Sequence, residues 1–229
     1  LQVTYNIADT FWLGRLSTDA VGAVSLAFPF IFLLIAVAGG FTTAGAILVA
    51  QYTGAAGERS AGLVTGQTIS FVGGLSVVIG IFGYLIMRPA LELLPSDPDT
   101  AASVIPLAAD YMEVIFLGIP LMFGFFVFSA LMRGYGDTRT PMFVMLASVG
   151  LNVVLDPFFI FGFAGNPLFG ILGLGGLESS LYGMTGFTGL GIEGAALATI
   201  LSRGVGTVSG LALLFGTALG PAVTLGHLR

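Results

Sequence analysis

The sequence contains no cysteine and no lysine, and its only histidine is His227. These absences exclude a disulfide framework, a thiol nucleophile and a thiolate metal site, and they leave no set of histidines for a metal site or a proton relay. Charge is also scarce, because 8% of the 229 residues are charged, compared with about 25% in soluble domains. With seven arginines and a net charge of −5, the chain lacks a basic patch, and we expect no nucleic-acid partner.

Apolar stretches make up most of the chain, of which 56% is hydrophobic. Each stretch approaches the ~20 residues that a helix needs to cross a bilayer. They predict six helices, at residues 1–13, 20–51, 61–87, 105–132, 141–163 and 192–216. The fold class is therefore an all-α integral membrane protein with several passes through the cell membrane. Since the sequence begins LQVTYN, already inside an apolar stretch, we expect the first helix to be truncated.

The arginines between the predicted helices indicate an orientation, because cytoplasmic loops carry an excess of positive charge. One side would hold Arg59, Arg133, Arg139 and Arg229, and the other side Arg15 and Arg88. We expect the first side to be cytoplasmic.

Two acidic residues, Asp9 and Asp156, lie inside apolar helices. A carboxylate at the middle of a membrane helix costs roughly 2.5–3.5 kcal/mol, and such groups commonly bind cations or relay protons in a protein interior. Asp156 follows Pro141 by 15 residues, about 22 Å along the helix, whereas Thr199 is about 10 Å into a helix entering from the opposite side. Asp9 lies a few residues before the connection GRLSTD on that same opposite side. All three residues therefore fall in the same half of the membrane.

Each carboxylate has a polar residue on the same helical face. Asn152 lies four residues before Asp156, whereas Asn6 and Tyr5 lie three and four residues before Asp9, and residues at these spacings are neighbours on a helix surface. We predict that Asp9, Asp156, Asn152, Thr199 and Asn6 form a Na+ or H+ site, with a Na+ ion held by Asp9, Asp156 and Asn152. The competing interpretation is that these residues are structural.

Three further residues are candidates for a supporting role. They are Tyr5, Pro157 and Arg203. Pro157 has no N–H, so the carbonyl of Val153 is free to join an oxygen-rich site. Arg203, which lies about 17 Å into the last helix, is either a counter-ion for a carboxylate, a side chain that extends towards the membrane surface, or a residue facing a central cavity.

Five sequence segments occur in an order typical of one transporter family. They are YNIADTFWLGRLSTDAVGAVSLAFP, QYTGA, LGIP followed by RGYGDTRTP, LNVVLDPFFIFG and GIEGAALATILSR. Together they resemble the N-terminal half of a MATE (multidrug and toxic compound extrusion) transporter, and the aspartate of the first helix with N-x-x-x-D-P resembles its DinF-like branch.

The resemblance implies a twelve-helix exporter of two six-helix lobes that moves small organic cations out of the cell in exchange for Na+ or H+. It implies no enzymatic activity and no cofactor. In that branch the carboxylates of the N-terminal lobe bind the coupling ion, with partners that match Asn152 and Thr199. Residues 1–219 would be this lobe, and 220–229 would begin a cytoplasmic linker. A missing C-terminal lobe and membrane lipid would be its partners.

Functions other than cation-coupled export also match parts of the sequence. A flippase for lipids or lipid-linked oligosaccharides is the nearest alternative, and a channel or a membrane-embedded scaffold is the passive one. An intramembrane aspartyl protease would use the Asp137 of a G-x-G-D motif, but the flanking residues favour a turn between helices. Gly189, Gly191 and Gly194 fit a dinucleotide fingerprint without its strand, so we interpret them as helix-packing residues.

One segment, Gly162 to Gly191, is apolar and interrupted by many glycines. It is longer than the connection expected from the resemblance, and long connections are usually functional or disordered. The sequence leaves two interpretations open: a re-entrant or interfacial lid, and a disordered or surface-lying insertion.

Overall fold

A computed structural model describes the backbone of residues 2–216 and the side chains of Tyr5 and residues 7–216. Every regular element in this part of the chain is a helix, which confirms the all-α class. The helices are α1 (Gln2–Leu16), α2 (Thr18–Gly54), α3 (Glu58–Glu92), α4 (Pro98–Gly134), α5 (Arg139–Phe161), α6 (Pro167–Leu172), α7 (Gly175–Thr185) and α8 (Ile192–Gly216). The predicted linker at 220–229 lies outside the described residues.

Five of these helices are long and apolar enough to cross a membrane, namely α2, α3, α4, α5 and α8. They have 37, 35, 37, 23 and 25 residues, and about 20 suffice to cross the hydrocarbon core. The described part of α1 has 15 residues. The chain is therefore a multi-pass membrane protein.

Helices α4 and α5 begin before the predicted apolar stretches, and an aspartate caps the start of each. The Asp97 carboxylate accepts a hydrogen bond from the backbone N–H of Thr100 at 3.0 Å, just before α4. Asp137 accepts one from the backbone N–H of Thr140 at 3.0 Å, at the start of α5. Hydrogen bonds from Thr100 lower the pKa of Asp97, and those from Thr140 lower the pKa of Asp137. Both carboxylates therefore stabilise helix starts in their ionised form.

The helices divide into two compact units. The first unit consists of the chain up to Pro29, Gly83–Leu117 and Val149–Ser202. The second consists of Phe30–Phe82, Gly118–Ser148 and the chain from Arg203 onward. Asp9, Asn152, Asp156 and Thr199 all belong to the first unit, so the candidate site is described within it.

Close contact between helices in the first unit depends on glycine. A Cβ atom added at Gly194, in α8, would lie 2.2 Å from the backbone oxygen of Phe159, in α5. Gly189 has a φ of 84°, and a Cβ there would lie 2.4 Å from the oxygen of Ile160. These glycines let the start of α8 approach the end of α5, which confirms their interpretation as packing residues.

The segment between α5 and α8 is folded, so a disordered insertion is wrong. It forms the short helices α6 and α7, which contact each other. A cluster of phenylalanines holds its ends together, with centroid separations of 5.9 Å from Phe158 to Phe163 and 6.1 Å from Phe163 to Phe187. Phe169 joins the cluster at 5.9 Å from Phe158. This structure could not be predicted from the sequence, because the contacting rings are spaced too irregularly along the chain to give a helical periodicity.

Candidate functional site

A buried amide links two of the predicted site residues. Asn152 and Asp156 lie one turn apart on α5, and both are 0% exposed. The Asn152 Nδ2 donates hydrogen bonds to Asp156 Oδ1 at 2.9 Å and to Thr199 Oγ1 at 3.3 Å. The first contact follows from the four-residue spacing on a helix. The second brings α8 to the same point, which the spacing alone did not establish.

Thr199 extends the network to α1. Its hydroxyl donates to Asp9 Oδ2 at 3.5 Å, and both side chains are buried. Asp9 and Asp156 also interact with each other electrostatically. The structure therefore brings together Asp9, Asn152, Asp156 and Thr199, four of the five residues predicted to form the site. The side chain of the fifth, Asn6 on α1, lies outside the described side chains.

Two oxygens of the network have no hydrogen-bond donor among the described residues: Asp156 Oδ2 and Asn152 Oδ1, both buried. A buried acceptor left without a donor costs about 1–3 kcal/mol, and more when it is charged. Two carboxylates in one buried site also repel each other unless positive charge is added. The arrangement is thus suited to a hard cation, which prefers several oxygen ligands, or to a proton.

Two residues near the network were missed by the sequence analysis. Ser202 Oγ lies 3.4 Å from the hydroxyl of Tyr5, which is a predicted supporting residue. Tyr111, buried in α4, lies within electrostatic range of both Asp9 and Asp156. Ser202 is three residues after Thr199 and could have been found from that spacing. No feature of the sequence predicted that Tyr111 lies near the carboxylates.

The other two supporting candidates have defined contacts. Pro157 is buried, and its carbonyl accepts a hydrogen bond from Asn166 Nδ2 at 2.8 Å. Arg203 belongs to the second unit, where its guanidinium lies 5.2 Å from the ring centroid of Phe125 and 5.7 Å from that of Phe126. Arg203 is 1% exposed, which argues against a side chain that extends towards the membrane surface. Its roles as a counter-ion and as a residue facing a central cavity stay predictions.

Asp137, the residue of the G-x-G-D motif, caps a helix. Its Oδ1 accepts from the backbone N–H of Arg139 at 2.9 Å, and its Oδ2 accepts from the Thr140 hydroxyl at 2.6 Å. Both oxygens are therefore engaged at the start of α5. An aspartyl protease instead pairs two aspartates that share one proton. The geometry of Asp137 matches the turn interpretation.

Comparison with known proteins identifies similar sequences. A family model described as MatE matches residues 1–158. The chain is 36% identical over 162 residues to the probable multidrug resistance protein YoeA of Bacillus subtilis (strain 168), which covers 71% of this chain and 34% of that protein. It is 26% identical over 198 residues to the FAD transporter of Shewanella oneidensis, which covers 86% of this chain and 38% of that protein.

The fold is also similar to a solved structure. The inward-facing conformation of a multidrug resistance MATE family transporter of the MOP superfamily superimposes with a TM-score of 0.81 and 26% identity. The superposition covers 100% of this chain and 46% of that chain. The chain thus spans about a third of the length of the two curated relatives and about half of the solved structure.

Proposed function

The chain belongs to the MatE (MATE) family, and we propose that it is the N-terminal lobe of a secondary active exporter of organic cations, drugs included, driven by exchange for Na+ or H+. The observation that carries the proposal is the buried network of Asp9, Asn152, Asp156 and Thr199, in which two oxygens have no donor. The names of the relatives support the class of transport, since YoeA is named a probable multidrug resistance protein.

The coupling ion would be held by oxygen atoms of α1, α5 and α8. A Na+ ion would take ligands from Asp156 and Asn152, with Asp9 and Thr199 completing the set. A proton would instead be shared by the two interacting carboxyl groups. Either ion supplies the positive charge that the buried carboxylates need.

Exchange requires that the ion site and the access of the substrate be coupled. An ion changes the balance between outward-open and inward-open states only if it binds the two states with different affinities. The network can provide this difference, because its members lie on three helices and a relative movement of α1, α5 or α8 alters the set of oxygens. Asn152 is the shared contact, since it bonds to both Asp156 and Thr199.

The proposal defines the substrates only as a chemical class. Small organic cations are the substrates that the resemblance implies. One relative is named an FAD transporter, so the substrates named for relatives extend beyond drugs. The lipid flippase is the alternative, and headgroup-labelled lipid that crosses the membrane without an ion gradient would support it.

The experiment that tests the proposal is ion-driven efflux by the complete two-lobe transporter in liposomes. An imposed Na+ or H+ gradient should drive ethidium transport by the wild type and by Asp137→Asn, which alters only the cap at the start of α5, 15 residues before Asn152. Asp156→Asn should insert normally and show no ion-driven transport. Retention of gradient-driven efflux in Asp156→Asn would contradict the proposal.

A further inference from the structure

The α6–α7 segment (residues 162–191) joins two membrane-spanning helices without a span of its own. It follows α5 and precedes α8, both of which are long and apolar enough to cross the membrane. Helix α6 has 6 residues and α7 has 11, whereas about 20 are needed for a crossing. Consecutive spans are connected on one side of a bilayer, so the segment begins and ends at the same membrane surface.

The serine, threonine and glutamate side chains of α7 make hydrogen bonds to the backbone. The hydroxyls donate to carbonyls four residues earlier: Ser179 to Gly175 at 3.0 Å, Ser180 to Gly176 at 2.9 Å and Thr185 to Leu181 at 2.8 Å. Glu178, the segment's only charged residue, accepts from the backbone N–H of Gly165 at 2.6 Å and of Asn166 at 3.2 Å. Water is thus not needed to satisfy these groups, which is the condition for a place next to lipid.

The helix ends are satisfied in the same way. Asn166 caps α6, where its Oδ1 accepts from the backbone N–H of Leu168 at 3.0 Å. At the end of α7, Gly186 adopts a left-handed conformation with a φ of 64°, and its N–H donates to the Tyr182 carbonyl at 2.8 Å. The caps reduce the number of backbone groups that must contact water.

The segment exposes several large apolar side chains. None of the residues of α7 is buried, and Met184 is 83% exposed. Further exposed apolar side chains are Ile171, Leu172, Leu174, Leu177, Tyr182 and Leu190. A concentration of exposed apolar side chains of this kind marks an interaction site. Because it adjoins the ends of two spans, lipid is the partner that its position supplies.

We propose that the α6–α7 segment lies in the interface between lipid headgroups and acyl chains, as a membrane-surface element. Helices that lie on a membrane bury their apolar side chains in this zone. The segment contains no lysine or arginine, so the contact rests on apolar burial and not on attraction to anionic lipid. The interaction should therefore be the same in neutral and anionic bilayers and at low and high salt.

The same segment is bound to the helix that carries Asp156. Asn166 is 2% exposed, and its Nδ2 donates to the carbonyls of Pro157 at 2.8 Å and Gly162 at 2.7 Å. Glu178 in turn binds the backbone of Asn166. The hydrogen bonds run from α7 through Asn166 to the residue after Asp156, so a segment held by lipid also holds the end of α5.

The test is the membrane depth of a tryptophan placed on α7. Trp12 is the chain's only tryptophan, so Met184→Trp in a Trp12→Phe background gives a single probe. The protein is placed in nanodiscs whose lipids carry bromine either close to the headgroup or near the bilayer centre. Leu117→Trp, 68% exposed near the middle of α4, is the deep control, and Ser96→Trp, in the exposed connection before α4, is the aqueous control.

The proposal predicts that Met184→Trp is quenched most by bromine close to the headgroup, with less quenching by aqueous iodide than Ser96→Trp. Leu117→Trp should respond most to bromine near the bilayer centre. Equal results in neutral and anionic nanodiscs are expected. Iodide quenching like that of Ser96→Trp would overturn the proposal, and so would protection from both quenchers, which would mean that protein covers α7. Ile171→Trp repeats the measurement if Met184→Trp does not fold.

Discussion

The side-chain amide of Asn152 donates a hydrogen bond to the Asp156 carboxylate at 2.9 Å, one turn along α5. The same nitrogen also donates to Thr199 at 3.3 Å. The amide oxygen of Asn152 has no hydrogen-bond donor among the described residues. Asn152 thus orients one carboxylate and presents an oxygen of its own to the same buried site.

Asn152→Ala should weaken binding of the coupling ion. The change removes a hydrogen bond to a charged group, for which about 1.5–3 kcal/mol is typical, and so predicts a loss of affinity of roughly 10- to 100-fold. Binding of radioactive Na+ to the purified chain, and proton release on Na+ addition, measure it. The matched control is Ser148→Ala, one turn earlier on α5, which should bind as the wild type does. An unchanged affinity in Asn152→Ala would exclude Asn152 from the site.

Thr199 supplies a hydroxyl between Asn152 and Asp9, and two substitutions separate the hydroxyl from the shape of the side chain. Thr199→Val keeps the shape and removes the hydroxyl that donates to the Asp9 carboxylate. It should reduce ion affinity by roughly 10- to 100-fold, because a hydrogen bond to a charged group contributes about 1.5–3 kcal/mol. Thr199→Ser retains the hydroxyl and should bind nearly as the wild type does. Equal affinities for Thr199→Val and Thr199→Ser would show that the hydroxyl contributes nothing.

Much of this site followed from the sequence. A carboxylate in an apolar helix is costly, so Asp9 and Asp156 were visible at once, and helical spacing paired Asp156 with Asn152. The contact between Asn152 and Thr199 was not derivable from periodicity, because it depends on how α5 and α8 pack. Tyr111 was missed for the same reason: its neighbours along α4 say nothing about which helix it faces.

Gly194 tests the packing that brings α5 and α8 together. A Cβ at this position would lie 2.2 Å from the Phe159 oxygen, so Gly194→Ala should force the helices apart and lower stability by about 1–3 kcal/mol. Gly176→Ala, in α7, meets nothing within 4 Å and should leave stability unchanged or slightly raised, since alanine favours helix. Thermal unfolding in detergent compares the two. Equal melting temperatures for these variants would contradict the packing described here.

Asp137 makes stability depend on pH at the start of α5. Hydrogen bonds from Thr140 lower the pKa of its carboxyl in the folded state, so the ionised form stabilises the fold above the unfolded pKa of about 3.9. This stabilisation is lost as pH falls through the lower, folded pKa. Asp137→Ala should cost about 1 kcal/mol at pH 7, measured by chemical unfolding.

The difference between wild type and Asp137→Ala should shrink below about pH 4, where the carboxyl of the unfolded chain is protonated. Asp137→Asn, which keeps an acceptor oxygen, should lose less stability than Asp137→Ala at pH 7. A gap between wild type and Asp137→Ala that stays constant from pH 7 to pH 3 would contradict the assigned cap.

The fold was predictable from apolar length, but the α6–α7 segment was not. Stretches of about 20 apolar residues predict spans reliably because a bilayer demands that length. Between 162 and 191 the order depends instead on contacts between residues distant in sequence, such as Glu178 with Gly165 at 2.6 Å and the ring of Phe163 with that of Phe187. Helical periodicity carries no information on such pairs, so the two open interpretations could not be separated.

The fluorescence of Trp12 tests the central claim most directly. Trp12 is buried and lies three residues after Asp9 in α1. The centroid of its ring is 6.3 Å from that of Phe161, the last residue of α5. Its fluorescence therefore reports on the packing of α1 against α5. The purified chain is titrated with Na+ at constant ionic strength, and separately with acid, as wild type, Asp137→Asn and Asp156→Asn. The account predicts a saturable response to Na+ or to protons in the first two proteins and its loss in Asp156→Asn. The same response in Asp156→Asn as in the wild type, or a wild type that responds to neither ion, would contradict it.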